Sequence, residues 1–410
     1  MKPRLLRLLS LLMAFGLVAA ACGGSSSDAG TDDTTEEETS TDDTTEEAVD
    51  EEAVDEEAMD DEEAMDDEEA MADTVALADI CPSPLTVQTD WFPEGEHGAM
   101  YNLIGDDYVV DVDNKVVRGT MVGTDIEFEV RTGGPAIGFA PVSSYVYTDD
   151  EIELAYQNTE AQVFGFADTP MLAVVAPLEI NPQMIMWDPE TYPNVESIAD
   201  LGTEGITINI FGGGTFADVF IAEGIWSADQ VDPSYDGSPA RFVSEGGAIA
   251  QQGFASAEPY TYEFSFEEWG KPVGFQLLND AGFEVYAATI AIKPSDKDAL
   301  DACLKEVVPM IQQSVVDYAN SPERANAMIV DAVEQYADFW VYDDGLAAFS
   351  VAKQLELGLI GNGPDSTVGN IDLDRIQRVI DKIEAAGLDT GGVTAEDIVT
   401  NEYIDESIGL

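Results

Sequence analysis

The only histidine of the chain lies in a short segment that also carries an indole and carboxylates. His97 follows Trp91 by six residues and Glu94 by three. An imidazole can hydrogen-bond to a heterocycle, and an indole can stack on a planar ring. We therefore expect Trp91, Glu94 and His97 to form one side of a binding site. Two structural roles remain open: a Trp91 side chain within the core, and a His97 side chain paired with Glu94 on a helix surface.

Two glycine-rich turns follow predicted strands. One contains Gly133, Gly134 and Pro135, and the other contains Gly212 and Gly213. Glycine lets a ligand approach the backbone closely, and exposed N–H groups bind anions or polar atoms. We expect both turns to line the binding site, although simple chain reversal explains the same residues. No lysine follows the second turn, so it does not match a nucleotide-binding loop.

A third candidate group lies in the segment SAEPYTYEF, which we expect to be a strand end followed by a turn. The Glu258 carboxylate and the Tyr260 hydroxyl could hold an amine or a ring N–H of a ligand. A solvated turn is the alternative. The sequence contains no Ser–His–Asp spacing, no Cys–His pair and no cluster of metal ligands. We therefore expect no catalytic residue, metal site or cofactor, and a protein that is not an enzyme.

The elements that must position these residues alternate between strands and helices. LTVQTDW is typical of a strand, and EGEHGAMYNLIG then indicates a helix that begins after Pro93 and ends at Gly105. The same alternation continues as far as Asp296, and the chain beyond it is mostly helical in pattern. Such alternation predicts an α/β fold with parallel strands and a ligand at their carboxyl ends.

The charge balance restricts the partners of this protein. The chain carries 83 acidic residues against 16 lysines and arginines, for a net charge of −67. Nucleic acid is excluded as a partner, because neutralising phosphates requires many basic side chains. The same balance disfavours anionic ligands such as nitrate or sulfonates, and it favours a neutral or weakly basic ring.

The N-terminal part has the pattern of an export signal followed by a tether. Residues 1–21 contain a basic start, an apolar run and small residues, as in a secretory signal peptide. The small residues before Cys22 resemble a bacterial lipobox, which implies that Cys22 is lipidated. Residues 22–79 are rich in Gly, Ser and then acids, and we expect them to form a disordered tether. An unlipidated signal peptide, or an acidic segment that binds calcium or a partner, remains open.

The chain has three cysteines, and we expect one to carry lipid and the other two to form a disulfide. With Cys22 assigned to lipid, Cys81 and Cys303 remain as an even pair in an oxidising compartment. A disulfide between Cys81 and Cys303 is therefore expected.

Several of these segments, taken in order, resemble one family. VQTDWFPEGEHGAMY, RTGGPAIGF, IADLGTEGITINIFGGGT and GFASAEPYTYE are similar to landmarks of the NMT1/THI5-like substrate-binding proteins of ABC importers, the SsuA, TauA and ThiY type. The resemblance covers most of the chain between Leu85 and Asn320. It implies a type II periplasmic-binding fold, in which two α/β lobes enclose a ligand cleft and are joined by two crossing strands.

The resemblance also implies domain boundaries. The first lobe comprises residues 80–177 together with 284–410, and the second lobe comprises residues 178–283. The crossings lie near Ala176 and Val285. Both cysteines of the expected disulfide then belong to the first lobe.

The function that follows from the resemblance is solute capture. We expect a monomeric, lipid-anchored protein on the extracytoplasmic face of the cell membrane, which delivers a small molecule to an ABC permease and its ATPase. A thiamin-pyrimidine or flavin-like ring is the expected solute. A sulfonate, nitrate or another small organic solute is the alternative within the same fold. A pyrimidine synthase of the same family and a surface structural lipoprotein are alternatives of other classes.

Overall fold

The structure is a computed structural model that describes residues 74–410. The predicted signal peptide, most of the predicted tether and Cys22 lie outside the described residues. The first described residues already pack against the globular part, because Leu77 is fully buried and its N–H donates to Asp125. The predicted boundary between tether and globular part at residue 79 stays a prediction. No helix within residues 74–410 is long and apolar enough to cross a membrane.

The strands and helices follow each other along the whole described chain. The strands are β1 (Leu85–Gln88), β2 (Val109–Asp111), β3 (Val116–Thr120), β4 (Glu127–Arg131), β5 (Leu154–Gln157), β6 (Leu172–Val175), β7 (Gln183–Trp187), β8 (Ile208–Asn209), β9 (Val231–Asp232), β10 (Ala250–Phe254), β11 (Gly274–Leu277) and β12 (Thr289–Ile292). The helices are α1 (Gly98–Asn102), α2 (Val142–Val146), α3 (Thr159–Gly165), α4 (Ile198–Glu204), α5 (Thr215–Ala222), α6 (Ala240–Ser244), α7 (Glu258–Tyr260), α8 (Lys297–Asn320), α9 (Glu323–Tyr336), α10 (Asp344–Glu356), α11 (Leu373–Ala385) and α12 (Ala395–Ile398).

The strands form two mixed sheets. The first sheet has the order β2-β3-β4-β1-β5-β12-β6, and the second has the order β11-β7-β10-β8-β9. Strand β1 runs parallel to β4 and β5, and β8 runs parallel to β9 and β10, whereas the remaining pairs are antiparallel. The α/β fold class with two sheets is as predicted. Each sheet therefore has one edge where the carboxyl ends of parallel strands meet.

Each sheet is covered by helices with a regular apolar face. Helix α8 buries Leu300, Leu304, Val307 and Ile311 against the first sheet, at the spacing of one helix face. Helix α5 packs on the second sheet, and its phenylalanines join the buried cluster there. These clusters hold the strand ends in fixed positions.

Helix α11 contacts the cores around both sheets. Its Ile376 and Ile380 belong to a cluster with residues of the first sheet, whereas Val379 and Ile383 belong to the cluster around the second sheet. The two apolar stripes are offset around the helix, so one helix can cover both cores. The chain from residue 284 onward therefore packs on both sheets. The predicted lobe boundaries stay a prediction.

The chain crosses between the sheets twice, and one arginine joins the two crossings. The crossings lie between β6 and β7 and between β11 and β12. The buried Arg375 guanidinium donates to the Glu179 carbonyl and carboxylate at 2.8 and 2.9 Å. It also donates to the carbonyls of Glu284 at 2.6 Å and Val285 at 3.2 Å, and it lies 3.9 Å from the Tyr286 ring centre. Arg375 thus fastens α11 to both crossing segments.

Cys81 and Cys303 form a disulfide. Their Cα atoms are 4.9 Å apart although 222 residues separate them in sequence. The bond joins the start of the described chain to α8, and both cysteines belong to the cluster around the first sheet.

The helix predicted over residues 94–105 is shorter than the pattern indicates. A 3-10 turn at Gly95–His97 precedes α1, which ends at Asn102. The chain then leaves the helix because Ile104 forms a bridge with Met121 next to the first sheet. This long-range pairing is absent from any local sequence pattern.

The strand end and turn predicted around Glu258 are wrong in their second half. Strand β10 stops at Phe254, and Glu258 begins the short helix α7, which continues into a π-helical turn at Thr261–Ser265. Pro259 is tolerated because the first turn of a helix needs no donor at that position. Glu258 and Tyr260 therefore lie on helical turns rather than at a strand end.

Candidate functional site

The loops after the parallel strands of the two sheets meet around two cavities. In the first sheet the loops that line them follow β1 and β5, and in the second sheet they follow β8, β9 and β10. Carboxyl ends of parallel strands are the usual location of ligand sites in α/β folds, because the loops there are free of sheet hydrogen bonding. The candidate residues from the sequence are distributed over these loops.

The first cavity has a volume of about 450 Å³, and we call it the aromatic cavity. Its wall includes Glu258 from α7, Tyr235 from the loop after β9, and Trp340 from the loop after α9. Phe339 and Asp343 lie on that same last loop. The cavity thus combines large rings with carboxylates.

The second cavity has a volume of about 390 Å³, and we call it the glycine cavity. Asp90 from the loop after β1 and Glu160 from α3 line one side. Gly212 and Gly213, two of the residues predicted from the sequence, line the other side in the loop after β8. Burial raises the pKa of Glu160 to about 7, and the nearby Thr215 hydroxyl opposes this effect.

Four carboxylates, which we call the cleft carboxylates, lie near one another between the loops of the two sheets. They are Asp90, Glu94, Glu96 and Glu258. Burial raises the pKa of Glu94 well above its ordinary value, and the nearby charges of Glu96, Asp90 and Glu258 raise it further. Burial also raises the pKa of Glu258 to about 7, against a hydrogen bond from the Phe254 N–H at 2.7 Å. Charging Glu94, Glu96 and Glu258 together is unfavourable without a counter-charge, whereas the Asp90 side chain is 43% exposed and pairs with His97.

One hydrogen bond connects the loops of the two sheets directly. The Ser256 hydroxyl, after β10, donates to the Glu96 carboxylate, after β1. Both side chains are buried. Burial raises the pKa of Glu96, and the bond from Ser256 opposes the rise. The contact places residues of the second sheet against the carboxylates of the first.

His97 is buried rather than open to either cavity. The side chain is 1% exposed, and its Nε2 lies 2.8 Å from the Asp90 carboxylate. Its Nδ1 has no hydrogen-bond partner, and the ring contacts Tyr156 edge to face, with the ring centres 4.7 Å apart. Asp90 stands between His97 and the glycine cavity, so the role predicted for His97 in binding stays a prediction.

Trp91 lies against the first glycine turn. A β-carbon on Gly134 would sit 2.6 Å from the Trp91 ring, and Gly134 has a φ of +58°. The Gly133 N–H is already bonded to the Trp91 carbonyl at 3.0 Å, so it is not free for a ligand. Trp91, Gly133, Gly134 and Pro135 line neither cavity. The Trp91 ring instead packs directly against the backbone of this turn.

Glu258 and Tyr260, predicted together, lie apart in the structure. Glu258 lines the aromatic cavity, whereas the Tyr260 ring packs against Phe264 and Phe349, with ring centres 5.1 and 5.5 Å away. Successive positions in a helical turn point in different directions, so the two side chains separate.

Two residues of the site carry no clear signal in the sequence. Trp340 packs parallel to Phe92, and its Nε1 donates to the Pro93 carbonyl at 3.2 Å across 247 residues of sequence. Its ring centre lies 6.0 Å from that of Trp91. Asp90 lies two residues after the end of β1 and directly before Trp91, and this position after a strand is the signal that could have identified it.

Basic side chains do not enter the site. Within residues 74–410, neither cavity is lined by a lysine or an arginine. In the same part of the chain, no lysine or arginine forms an ion pair with a cleft carboxylate, and the His97 contact of Asp90 is the ionisable pairing present there. No group of three or more His, Cys, Asp or Glu in the described residues is arranged to hold a metal ion.

Comparison with known proteins bears on the fold. No protein-family model and no curated protein matches the chain. A structure from Bordetella bronchiseptica RB50 is similar over 78% of this chain and 96% of its own length, with 15% identity and a TM-score of 0.51. The ligand-binding component of an ABC-type import system from Staphylococcus aureus, with zinc bound, is similar over 78% and 99%, with 11% identity and a TM-score of 0.50.

A third similar structure is the periplasmic aliphatic sulphonate binding protein SsuA from Escherichia coli. The similar region spans 78% of this chain and 92% of the SsuA chain, with 12% identity and a TM-score of 0.49. At such identities a structural likeness establishes the fold and not the ligand. The chain shares its two-sheet α/β fold with the Bordetella bronchiseptica and Staphylococcus aureus structures, and the predicted fold class is confirmed.

Proposed function

We propose that this protein is an extracytoplasmic solute-binding protein of an ABC importer. The observation that carries the proposal is the pair of cavities at the carboxyl ends of parallel strands, on a fold of the binding-protein type. Loops from both sheets contribute to the site, as capture between two lobes requires. The proposed lobes are residues 80–177 with 284–410, and residues 178–283.

The solute that suits the aromatic cavity has a ring and few negative charges. Rings of Trp340 and Tyr235 can pack on a flat apolar body, and Glu258 can accept hydrogen bonds from ring N–H or amino groups. A thiamin-pyrimidine or flavin-like solute of the NMT1/THI5-like group has these properties. A sulfonate or nitrate would face carboxylates with no lysine or arginine beside it, at an electrostatic cost.

The proposed cellular context follows from the N-terminal segment. A lipid on Cys22 would hold the protein at the outer face of the membrane, and the acidic tether would let it reach the permease and its ATPase. Replacing Cys22 by Ala should release the protein from the membrane in soluble form. Retention of Cys22→Ala in the membrane with its signal segment intact would remove the lipid anchor from the proposal.

Mass spectrometry of small molecules released from the purified full-length protein tests the binding function. We expect one solute in near-stoichiometric amount, and a rise in melting temperature when that solute is added back. The variant Glu258→Gln should carry less of it, whereas Glu268→Gln, on an exposed residue of the same region, should carry as much as the wild type. Absence of any released solute, together with no thermal shift in a broad solute panel, would contradict solute binding.

A further inference from the structure

The cleft carboxylates lack a protein counter-charge. Their nearest basic partner is His97, which contacts Asp90 alone. Two buried carboxylates elsewhere in the described chain have cationic partners: Glu129 is bonded to Arg131 at 2.6 Å, and Asp188 to Lys271 at 3.0 Å. Carboxylates grouped in a partly dry site are unfavourable unless protons or a cation compensate them.

Buried polar atoms beside this group are also without partners. The Tyr156 side chain is fully buried, and its hydroxyl has no hydrogen-bond partner. Asp90, Glu94 and Glu96 all act on the Tyr156 hydroxyl, and with burial they raise its pKa well above the ordinary value. The neighbouring His97 Nδ1 is likewise unpartnered. Unpaired buried polar groups are costly, so these two atoms add to the unfavourable polarity of the region around the cleft carboxylates.

Aromatic faces complete the wall next to these acids. Trp340, Phe339 and Tyr235 line the aromatic cavity together with Glu258, and burial and then the nearby charge of Glu258 raise the pKa of Tyr235. Aromatic rings attract cations through their electron-rich faces, most strongly where water is excluded. Carboxylates and rings together favour a cation with an apolar body.

We infer that the site selects an organic cation, with a protonated amine at Glu258 and its apolar body against Trp340. This inference rests on the proposed function and names the charge of the solute. A metal ion is not the occupant that the geometry supports, because the described residues contain no group of ligands close enough to coordinate one. A protonated amine differs from a metal in needing only one or two carboxylates and tolerating longer, softer contacts.

Calorimetry with three probes of one skeleton tests this inference. Tryptamine, tryptophol and indole-3-acetate share the indole ring and carry a positive, neutral and negative group, respectively. For the full-length protein stripped of bound solute, we expect tryptamine to bind at least tenfold more tightly than tryptophol. Indole-3-acetate should bind more weakly than either. Trimethylated tryptamine, which is positive but has no ammonium N–H, should bind more weakly than tryptamine.

Two variants assign the selectivity to the site. Glu258→Gln should reduce the preference for tryptamine over tryptophol to threefold or less. The exposed Glu268→Gln should keep the full preference. An unchanged circular dichroism spectrum serves as the check that Glu258→Gln is folded.

The outcomes separate this inference from the proposed function. Equal binding of tryptamine and tryptophol, no binding of any of the probes, or tighter binding of indole-3-acetate each overturns the selection of a cation. In those cases a solute found by mass spectrometry would leave the binding function intact. If no solute is found either, both conclusions fail together.

Discussion

Two acidic groups in this protein are compensated in opposite ways. At the edge of the first sheet, Arg131 donates to Glu129 at 2.6 Å, Asp149 at 2.9 Å and Glu151 at 3.2 Å. Between the two sheets, the cleft carboxylates have no lysine or arginine within ion-pair distance in the described residues. The chain has only 16 basic residues for 83 acidic ones, and they pair with some acidic groups and not with others.

The contrast indicates which group serves stability and which serves binding. The arginine group fixes the surface of the sheet, and its charges are matched permanently. Burial raises the pKa values of Glu94, Glu96 and Glu258, and this favours their protonated forms where no cation is present. A site compensated by protons can exchange them for a ligand cation, whereas a site compensated by a side chain cannot.

The largest effect is expected from removing the cation of the first group. Arg131→Met leaves the buried Glu129 carboxylate without its closest partner, which should lower the free energy of unfolding by about 3 kcal/mol. Urea unfolding measures this change. Arg118→Met is the matched control, because Arg118 is exposed and lies 3.9 Å from the same glutamate. A loss no larger in Arg131→Met than in Arg118→Met would contradict a stabilising role.

The next effect concerns the rings at the cleft. Trp340→Ala should weaken binding of the released solute by about 1–3 kcal/mol, or roughly 5- to 150-fold, if the ring stacks on it. Trp91→Ala should weaken binding less, because Trp91 contacts Trp340 but does not line the cavity. Calorimetry on variants with unchanged circular dichroism measures both. The reverse order of effects would place the solute on Trp91, as the sequence alone suggested.

A smaller, pH-dependent effect is expected from the cleft carboxylates. The native protein keeps a proton on Glu258 up to about pH 7, whereas the unfolded chain releases it near pH 4.5. Stability should therefore fall as the pH rises through this window, because the folded state binds more protons there. Glu258→Gln should be more stable than the ligand-free wild type by about 1 kcal/mol at pH 8, after allowance for partial exposure, and show no gain at pH 4.

Urea unfolding at the two pH values measures this effect, with Glu268→Gln as the control that should show no pH-dependent difference. A gain that is equal at pH 4 and pH 8 would mean that the substitution acts through packing and not through charge.

The smallest effect is expected for an acidic residue paired in full solvent. Lys305 contacts Asp301 at 2.7 Å on the outer face of α8, one helical turn apart. Lys305→Met should change the free energy of unfolding by at most about 0.5 kcal/mol, because water screens such pairs. Urea unfolding in low and high salt measures it. A change above 1 kcal/mol would show that surface pairs matter unusually in so acidic a chain.

Most of the fold could be predicted from local sequence patterns. Strands such as β1 and β4 and the amphipathic α8 have the spacing of buried strands and helix faces, so two α/β sheets could be predicted. The short length of α1 could not be predicted, since it depends on the close approach of Gly98 to Tyr318 of α8. A β-carbon on Gly98 would lie 2.0 Å from the Tyr318 ring. Such approaches are set by distant residues and leave no local trace.

Only some residues of the candidate site could be predicted from the sequence. Gly212, Gly213 and Glu258 line the cavities, and all three follow strands, which is the feature that the sequence displays. His97 looked exposed in sequence, yet Asp90 and Tyr156 enclose it, and neither neighbour could be inferred from composition or spacing. Trp340 enters from a loop between two C-terminal helices, so only the tertiary structure brings it to the site.

The disulfide has a topological consequence for the whole second sheet. The chain leaves the first sheet after Cys81, forms β7 to β11 and returns before Cys303, so the entire second sheet lies inside one covalent ring. A protease that cuts the exposed turn at Asp236 and Gly237 opens this ring without releasing a fragment. The nicked protein should migrate as two pieces only after reduction, because the disulfide keeps its two halves joined.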